Sequence, residues 1–401
     1  MANPAVMRDK VAVIGMGCTK FGENFQWSAD DMIIDATFEA LEDAKVEMKD
    51  IQAAWIGTQV SGTTNAGCTG LMLTQPMKFR KIPVSRVENG CATGIDTVRH
   101  AAMAVTLGLY DIVLCVGFEK LKDSGFSGLP EFFYHPAYAQ GATAPGRWAL
   151  PATRYFAHYG LTPQQGKEAL AKIAVKNHKN GAKSPKAHLQ REITLEQALN
   201  APIIAWPLGL FDCCAVTDGA AAAVLCSAEI AKKFRDDYVL IKGFGCAMGP
   251  GWGKEDIDFR MYDMPETQMA AKIAYQAAGI KNPREELSLA QVHDCFSIAE
   301  LLEYEALGFS QPGQAKTDID AGFFELHKGG LPVNTDGGLK AFGHPIGATG
   351  VRMIYETYKQ IQGTAQLPER QLKNPKLGLC MPQAGHPGFL APIVAILGAR
   401  Q

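Results

Sequence analysis

Four short segments concentrate the residues able to make and break covalent bonds. Cys91 stands in Asn89-Gly-Cys-Ala-Thr-Gly94, between two glycines and directly ahead of an apolar run. From Ile95 to Leu109 the apolar residues Ile95, Val98, Ala102 and Val105 recur with helical spacing and predict a buried helix. A thiol at a helix N-terminus meets partial positive charge, which favours the nucleophilic thiolate. His344 lies in Gly343-His-Pro345, part of a second glycine-rich turn ahead of a predicted helix, Val351–Gln362. His293-Asp-Cys-Phe296 ends a predicted strand, Leu287–Val292, and Cys380 ends another, Lys376–Cys380. By itself a cysteine more simply fills a gap in a core. A cysteine in company with histidines at strand and helix ends points instead to nucleophilic catalysis with an imidazole as base.

The rest of the chain supplies strands and helices to carry those turns. Lys10–Gly17 is a β-branched run closed by glycines, and Ser28 to Ala44 reads as an amphipathic helix capped by Ser28 and Asp31. Gly15-x-Gly17 lacks the third glycine and the following helix of a dinucleotide-binding turn. Strands follow at Ala53–Gly57, Asp111–Glu119 and Ala220–Cys226. Tyr238–Gly245 then opens a second round: helix Glu266–Gly279, the 287–292 strand, helix Ser297–Leu307, the 376–380 strand and a last strand, Phe389–Leu397. The second round repeats the plan of the first, with Gly343-His-Pro345 in the place of Cys91. Two like halves facing across a pseudo-twofold axis bring Cys91 and His344 together.

Residues 120–205 break the rhythm. Phe126, Phe132, Phe133, Tyr134, Tyr138, Trp148, Tyr155 and Phe156 come first, then Lys167, Lys172, Lys176, Lys179, Lys183, Lys186 and Arg191 on a helical pattern. The expectation is a first half of residues 1–119 and 206–236, an inserted lobe of 120–205, and a second half of 237–401.

Composition bounds the possibilities. At 401 residues the chain is too long for one small core. A formal net charge of −2 gives no case for nucleic acid or an acidic membrane surface. No apolar run approaches the roughly 20 residues that span a bilayer. The ten cysteines include no Cys-x-x-Cys pair, so neither a zinc ribbon nor a redox motif is expected. The N-terminal residues have no signal-peptide core, and the expected compartment is a reducing cytoplasm.

Taken together, these segments resemble the thiolase superfamily over nearly the whole chain, most closely the sterol-carrier-protein-2 type, an acetyl-CoA acyltransferase-like group. Tyr159-Gly-Leu-Thr-Pro163, Val175-Lys-Asn-His178 and Thr217-Asp-Gly-Ala-Ala221 add to the match, as does Gly343-His-Pro-Ile-Gly-Ala-Thr-Gly350. His-Asp-Cys-Phe separates this branch from those with Asn-Glu-x-Phe. The resemblance implies an α/β fold of five layers (αβαβα) built from two pseudo-symmetric halves. It also implies coenzyme A as co-substrate with no permanently bound cofactor or metal, and an oligomer founded on a homodimer. Cys91 would hold the acyl group as a thioester, His344 would take its proton, and His293 would donate to the thioester oxyanion. A second acid/base is often a cysteine in Cys-x-Gly near the C-terminus. Cys380 is the natural candidate, but Pro382 replaces that glycine. A rebuilt loop would let Gly385 supply the oxyanion donor; otherwise His386 or Cys295 would be the acid/base.

Further expectations follow from the resemblance. A basic lobe carrying Lys176, Lys179 and Lys183 would meet the phosphates of coenzyme A. Its aromatic side suits a bulky or aryl acyl group, such as that of benzoylsuccinyl-CoA. A separate small zinc-ribbon/OB-fold subunit is an expected partner. The competing readings are a Claisen-condensing, ketoacyl synthase-like enzyme and a non-catalytic acyl-CoA- or lipid-binding subunit.

Overall fold

A computed structural model describes residues 3–60, 67–79, 81–125, 128–129, 143–251 and 259–400. The first strand, β1 (Val11–Cys18), is buried throughout, which is why its sequence runs apolar without alternation. Helix α1 (Ala29–Ala44) follows, closed at its start by a reciprocal Ser28–Asp31 capping box. The first half continues through β2 (Ala53–Gly57), α2 (Leu71–Met77), β3 (Val84–Val87), α3 (Thr93–Thr106) and β4 (Ile112–Glu119). Helices α4 (Ala144–His158), α5 (Pro163–Ala182) and α6 (Leu195–Leu199) and the strand pair β5 (Ile203–Ala205) and β6 (Leu208–Gly209) come next. Strand β7 (Gly219–Ser227) returns to the first sheet.

The second half starts with β8 (Val239–Cys246), α7 (Pro265–Ala278), α8 (Pro283–Glu286), β9 (Leu289–Val292) and α9 (Ser297–Ala306). It ends with α10 (Ala315–Asp320), α11 (Gly338–Ala341), α12 (Ile346–Gln362), β10 (Leu377–Met381) and the hairpin β11 (Gln383–His386) and β12 (Phe389–Ala399). The sheet order is β3-β2-β4-β7-β1-β8-β12-β10-β9, with β11 on β12. β1, β7 and β4 alternate in direction, and β4, β2 and β3 run parallel. β8, β12, β10 and β9 repeat β1, β7, β4 and β2 of that pattern, so the two halves are topological copies but for the edge strand β3. Ala12 with Leu240 and Val13 with Val239 join them.

Helices fill three layers around these strands. α1 covers β1, β7 and β4 from outside, and α7 does the same for β8 and β12. α3 and α12 pack on each other between the halves, touching strands of both. The result is the expected five-layered αβαβα arrangement. The Gly-x-Gly pairs have a steric purpose in it. A Cβ on Gly17 would lie 2.0 Å from the Ala36 carbonyl oxygen, and one on Gly245 1.8 Å from that of Ala270. Each outer helix therefore rests directly on strand backbone.

The middle layer is packed almost as closely. A Cβ on Gly117 would stand 2.2 Å from the Gly347 oxygen, and one on Gly350 2.3 Å from the Ile95 nitrogen. These neighbours are backbone atoms that cannot swing aside. Gly117→Ala is accordingly expected to destabilise the fold by about 3 kcal/mol through overpacking, read as a lowered denaturation midpoint. An unchanged midpoint would mean that the helices can part.

The lobe differs from expectation in its charge. α5 is buried around most of its circumference, so Lys167 and Lys176 turn inward to ion pairs, while Lys172 pairs at the surface and Lys179 is exposed. Lys167 pairs with Asp212, Lys172 with Asp320 at 2.8 Å, and Lys176 with Glu300 at 2.7 Å. Of the aromatic run, Trp148, Tyr155 and Phe156 are buried on α4. Phe126, Phe132, Phe133, Tyr134 and Tyr138 lie outside the described residues.

Candidate active site

Cys91 is the residue before the cap of α3, half-buried at the helix N-terminus. Its turn is held by the Ala92 and Thr93 amides, which donate to Asn89 and Gly90 carbonyls at 3.1 Å each. Gly90 has φ +53°, and a Cβ there would meet that of Ala384 at 2.6 Å. Both constraints demand glycine.

His344 lies two residues ahead of α12, fully buried. Its Nδ1 is 2.7 Å from Thr349 Oγ1, whose hydroxyl donates to the Pro345 carbonyl at 3.0 Å. With the hydroxyl proton committed there, Nδ1 must carry the imidazole proton and Nε2 the lone pair. Nε2 is buried with no hydrogen-bond partner. His293, at the end of β9, has its ring centre 5.1 Å from that of His344, with the rings 83° apart. Cys91 Sγ and one nitrogen of each ring lie within 4.8 Å of one another. Two halves thus deliver a thiol and two imidazoles to one point.

Burial keeps both histidines neutral. It pushes His344 down to about 3, helped by the Arg352 cation, and holds His293 well below the usual imidazole range, with His344 and Arg352 adding to the effect. An unfolded chain binds these protons below pH 6.5 and the folded chain does not, so stability falls as pH falls. For His344 alone the loss from pH 7 to pH 5 is about 2 kcal/mol. Urea unfolding at the two pH values measures it, and His344→Asn is expected to flatten the dependence.

Asp294 is a staple rather than an acid at the reacting centre. Its carboxylate accepts from the Leu339 and Lys340 amides at 2.6 and 3.0 Å and from Asn177 Nδ2 at 2.8 Å. Burial, with Glu300 nearby, pushes it up to about 7. Asn334 binds the Val292 amide through Oδ1 at 2.9 Å. Glu119, at the end of β4, takes the Thr58 hydroxyl at 2.7 Å and the Val60 and Gly347 amides at 2.8 and 2.9 Å. It ties the start of α12 to the cavity wall.

Cys91, His293 and Cys295 open into a cavity of about 440 Å³ whose wall includes Trp148, Gly385 and His386. Cys380 is absent from that wall. Its side chain is buried against Thr357 Oγ1 at 3.2 Å, and burial pushes its thiol up to about 12. His386 reaches the cavity, but Arg147 Nη1 stands 3.1 Å from its Nε2, and its Nδ1 is 3.1 Å from the Pro387 carbonyl. A guanidinium can only donate, so Nε2 accepts and Nδ1 donates. Gly385 has φ +87°, and a Cβ there would strike the Phe389 carbonyl.

The lysines do not join this site. Lys176 and Lys179 border a different hollow, beside Lys172 and Tyr304, and Lys183 follows the end of α5. The sequence reading passed over Thr349, Glu119 and Arg147. Thr349 sat in view inside the Gly-Ala-Thr-Gly run; the other two reach the site through tertiary packing and leave no local spacing to detect.

Comparison with known proteins bears on this arrangement. The family description "Thiolase, N-terminal domain" matches residues 11–229, and "Thiolase C-terminal domain-like" matches 252–399. The chain belongs to the thiolase family. An acetyl-CoA acetyltransferase of Methanothermobacter thermautotrophicus is 36% identical to this thiolase over 384 residues, 93% of this chain and 95% of the relative. The benzoylsuccinyl-CoA thiolase subunit BbsB of Thauera aromatica is 31% identical over 369 residues, 91% of each chain. A solved structure, the Ltp2-ChsH2(DUF35) aldolase, aligns with a TM-score of 0.83 at 29% identity and covers 98% of this chain and 99% of that one. The thiolase described here is therefore an acyltransferase of coenzyme A thioester chemistry. Among its described residues no helix is long and apolar enough to cross a membrane.

Proposed function

We propose that this thiolase cleaves, or in reverse forms, a β-ketoacyl-CoA through an acyl-enzyme on Cys91. The observation that carries the reading is the convergence of Cys91 Sγ with the two imidazoles at an open cavity. In the cleavage direction His344 Nε2 takes the thiol proton and the thiolate adds to the ketone carbon. His293, neutral, has an N–H to donate to an oxyanion. The carbon–carbon bond then breaks, leaving the acyl group on Cys91 and an enolate that must be protonated. Coenzyme A finally takes the acyl group and restores the thiol.

The acid for the enolate is Cys295 in this reading. It lines the same cavity as Cys91, and burial holds its thiol well above the ordinary range, with Cys214 and Cys91 adding to the effect. Cys380 points elsewhere, and the lone pair of His386 is engaged by Arg147.

A bulky or aromatic acyl group is supported by the cavity wall, where Trp148, Phe296, Phe389 and Arg147 meet. A benzoylsuccinyl thioester presents both an aryl ketone and a free carboxylate, which suits rings beside a guanidinium. The name of the Thauera relative supports the same substrate. A homodimer core with a further small zinc-ribbon/OB-fold subunit is proposed because one relative is a named subunit and the aldolase carries a second component, ChsH2(DUF35). A cytoplasmic location remains part of this proposal.

Intact-mass spectrometry tests the central step after brief exposure to acetoacetyl-CoA, longer ketoacyl-CoAs, benzoyl-CoA and acetyl-CoA. An acyl mass gain that disappears in Cys91→Ala is expected, and the best donor names the substrate class. No adduct from any donor on folded protein, with the second subunit supplied, would overturn the acyl-enzyme. The set of one cysteine and two histidines also favours a second reading, decarboxylative condensation. Release of carbon dioxide from malonyl-CoA would identify it.

A further inference from the structure

We propose that Cys91, His293 and His344 also form a binding site for a thiophilic divalent cation, with Zn²⁺ the ion whose chemistry fits. Among the described residues this is the one group of three such donors that converges, all within 4.8 Å of one another. A thiolate and two imidazoles are a donor set that selects zinc over the hard cations, which require oxygen. Tetrahedral zinc places its donors about 3.3–3.6 Å apart, so the three side chains need to close by only about 1 Å. Their near-perpendicular rings can converge on one ion without stacking.

Independent features point to a ligand here. His344 Nε2 and His293 Nδ1 are buried nitrogens with no hydrogen-bond partner, an arrangement that costs stability unless something occupies the lone pair. Thr349 accepts from His344 Nδ1 and thereby aims Nε2, the outer support that metal-binding histidines ordinarily have. The Arg352 cation opposes a second positive charge, but its charge is balanced by Asp336 at 2.7 Å. The cavity leaves the fourth position open to water or to an incoming thiolate. Binding breaks the Cys91 S–H bond, forms a sulfur–metal bond and releases one proton to solvent.

The site stands on geometry alone. Only its consequence, loss of acyl transfer, rests on the proposed function. Cobalt(II) is the probe, because a thiolate–cobalt charge-transfer band and intense tetrahedral d–d bands report ligand type and geometry without any turnover. One equivalent with both signatures is expected, displaced by Zn²⁺. In Cys91→Ser the charge-transfer band is expected to vanish, and in His293→Asn and His344→Asn affinity falls at least about tenfold. Cys68→Ser, which alters an exposed thiol, should change nothing. Zn²⁺ should also block iodoacetamide labelling of Cys91, with recovery on chelation. A band that persists in Cys91→Ser, or an octahedral spectrum, overturns the site. Metal binding by a protein that shows no acyl-enzyme would instead sink the thiolase mechanism and leave this site standing.

Discussion

Cys91→Ala is expected to lose turnover by at least about 10,000-fold, because the acyl group is carried on that thiol beside His344. It should fold as the parent does. The Cys91 turn is held by backbone hydrogen bonds of Asn89 and Gly90, and the half-buried sulfur fills no void in the main core. Steady-state assay with acetoacetyl-CoA, beside intact mass, separates a lost nucleophile from a lost fold. Turnover within tenfold of the parent, with normal melting, would remove Cys91 from the mechanism.

The second large effect divides Cys295 from Cys380, the cysteine that the sequence favours as acid/base. Cys295→Ala should slow turnover about 100-fold or more, since the enolate would leave without its proton donor. Acyl groups should still accumulate on Cys91 from acyl-CoA donors, because a thiolate departs with little help. Cys380→Ala should stay within about threefold of the parent in turnover and lower stability by about 1 kcal/mol for its vacated core volume. Its sulfur is packed on Thr357, away from the cavity. The reverse pattern, with Cys380→Ala inactive and Cys295→Ala normal, would return the acid to the C-terminal strand.

Much of the fold was legible because both halves use the same few signals. The repeated Gly-x-Gly strands, the Ser28 cap and the buried runs at Asp111 and Leu287 each became the element predicted. The pseudo-twofold pairing of Cys91 with His344 followed from their like positions before helices. Where reading failed, tertiary packing had decided the matter. α12 starts at Ile346, five residues before Val351, because Gly347 and Gly350 permit a close helix crossing that composition alone argues against. β3 is short and half-exposed, with little apolar signal to mark it. Lys167 and Lys176 belong to a run that composition reads as a basic lobe, yet Asp212 and Glu300, remote in sequence, draw them inward. Cys380 carried a family position, but its side chain packs on Thr357 of α12 instead of reaching the cavity.

The glycine crossing of α3 and α12 has a consequence for how such a chain can change. The nucleophile and its base are set from within, on backbones packed too closely to drift. Much of the rest of the cavity wall comes from α4 and from the β11–β12 hairpin, whose outer strand, among the described residues, pairs on one side only. Substitutions there alter what enters and which group donates a proton, while the inner crossing is left untouched. New reactions can therefore be explored at the rim with little risk to the fold, so substrate range can diversify far faster than the core that carries it.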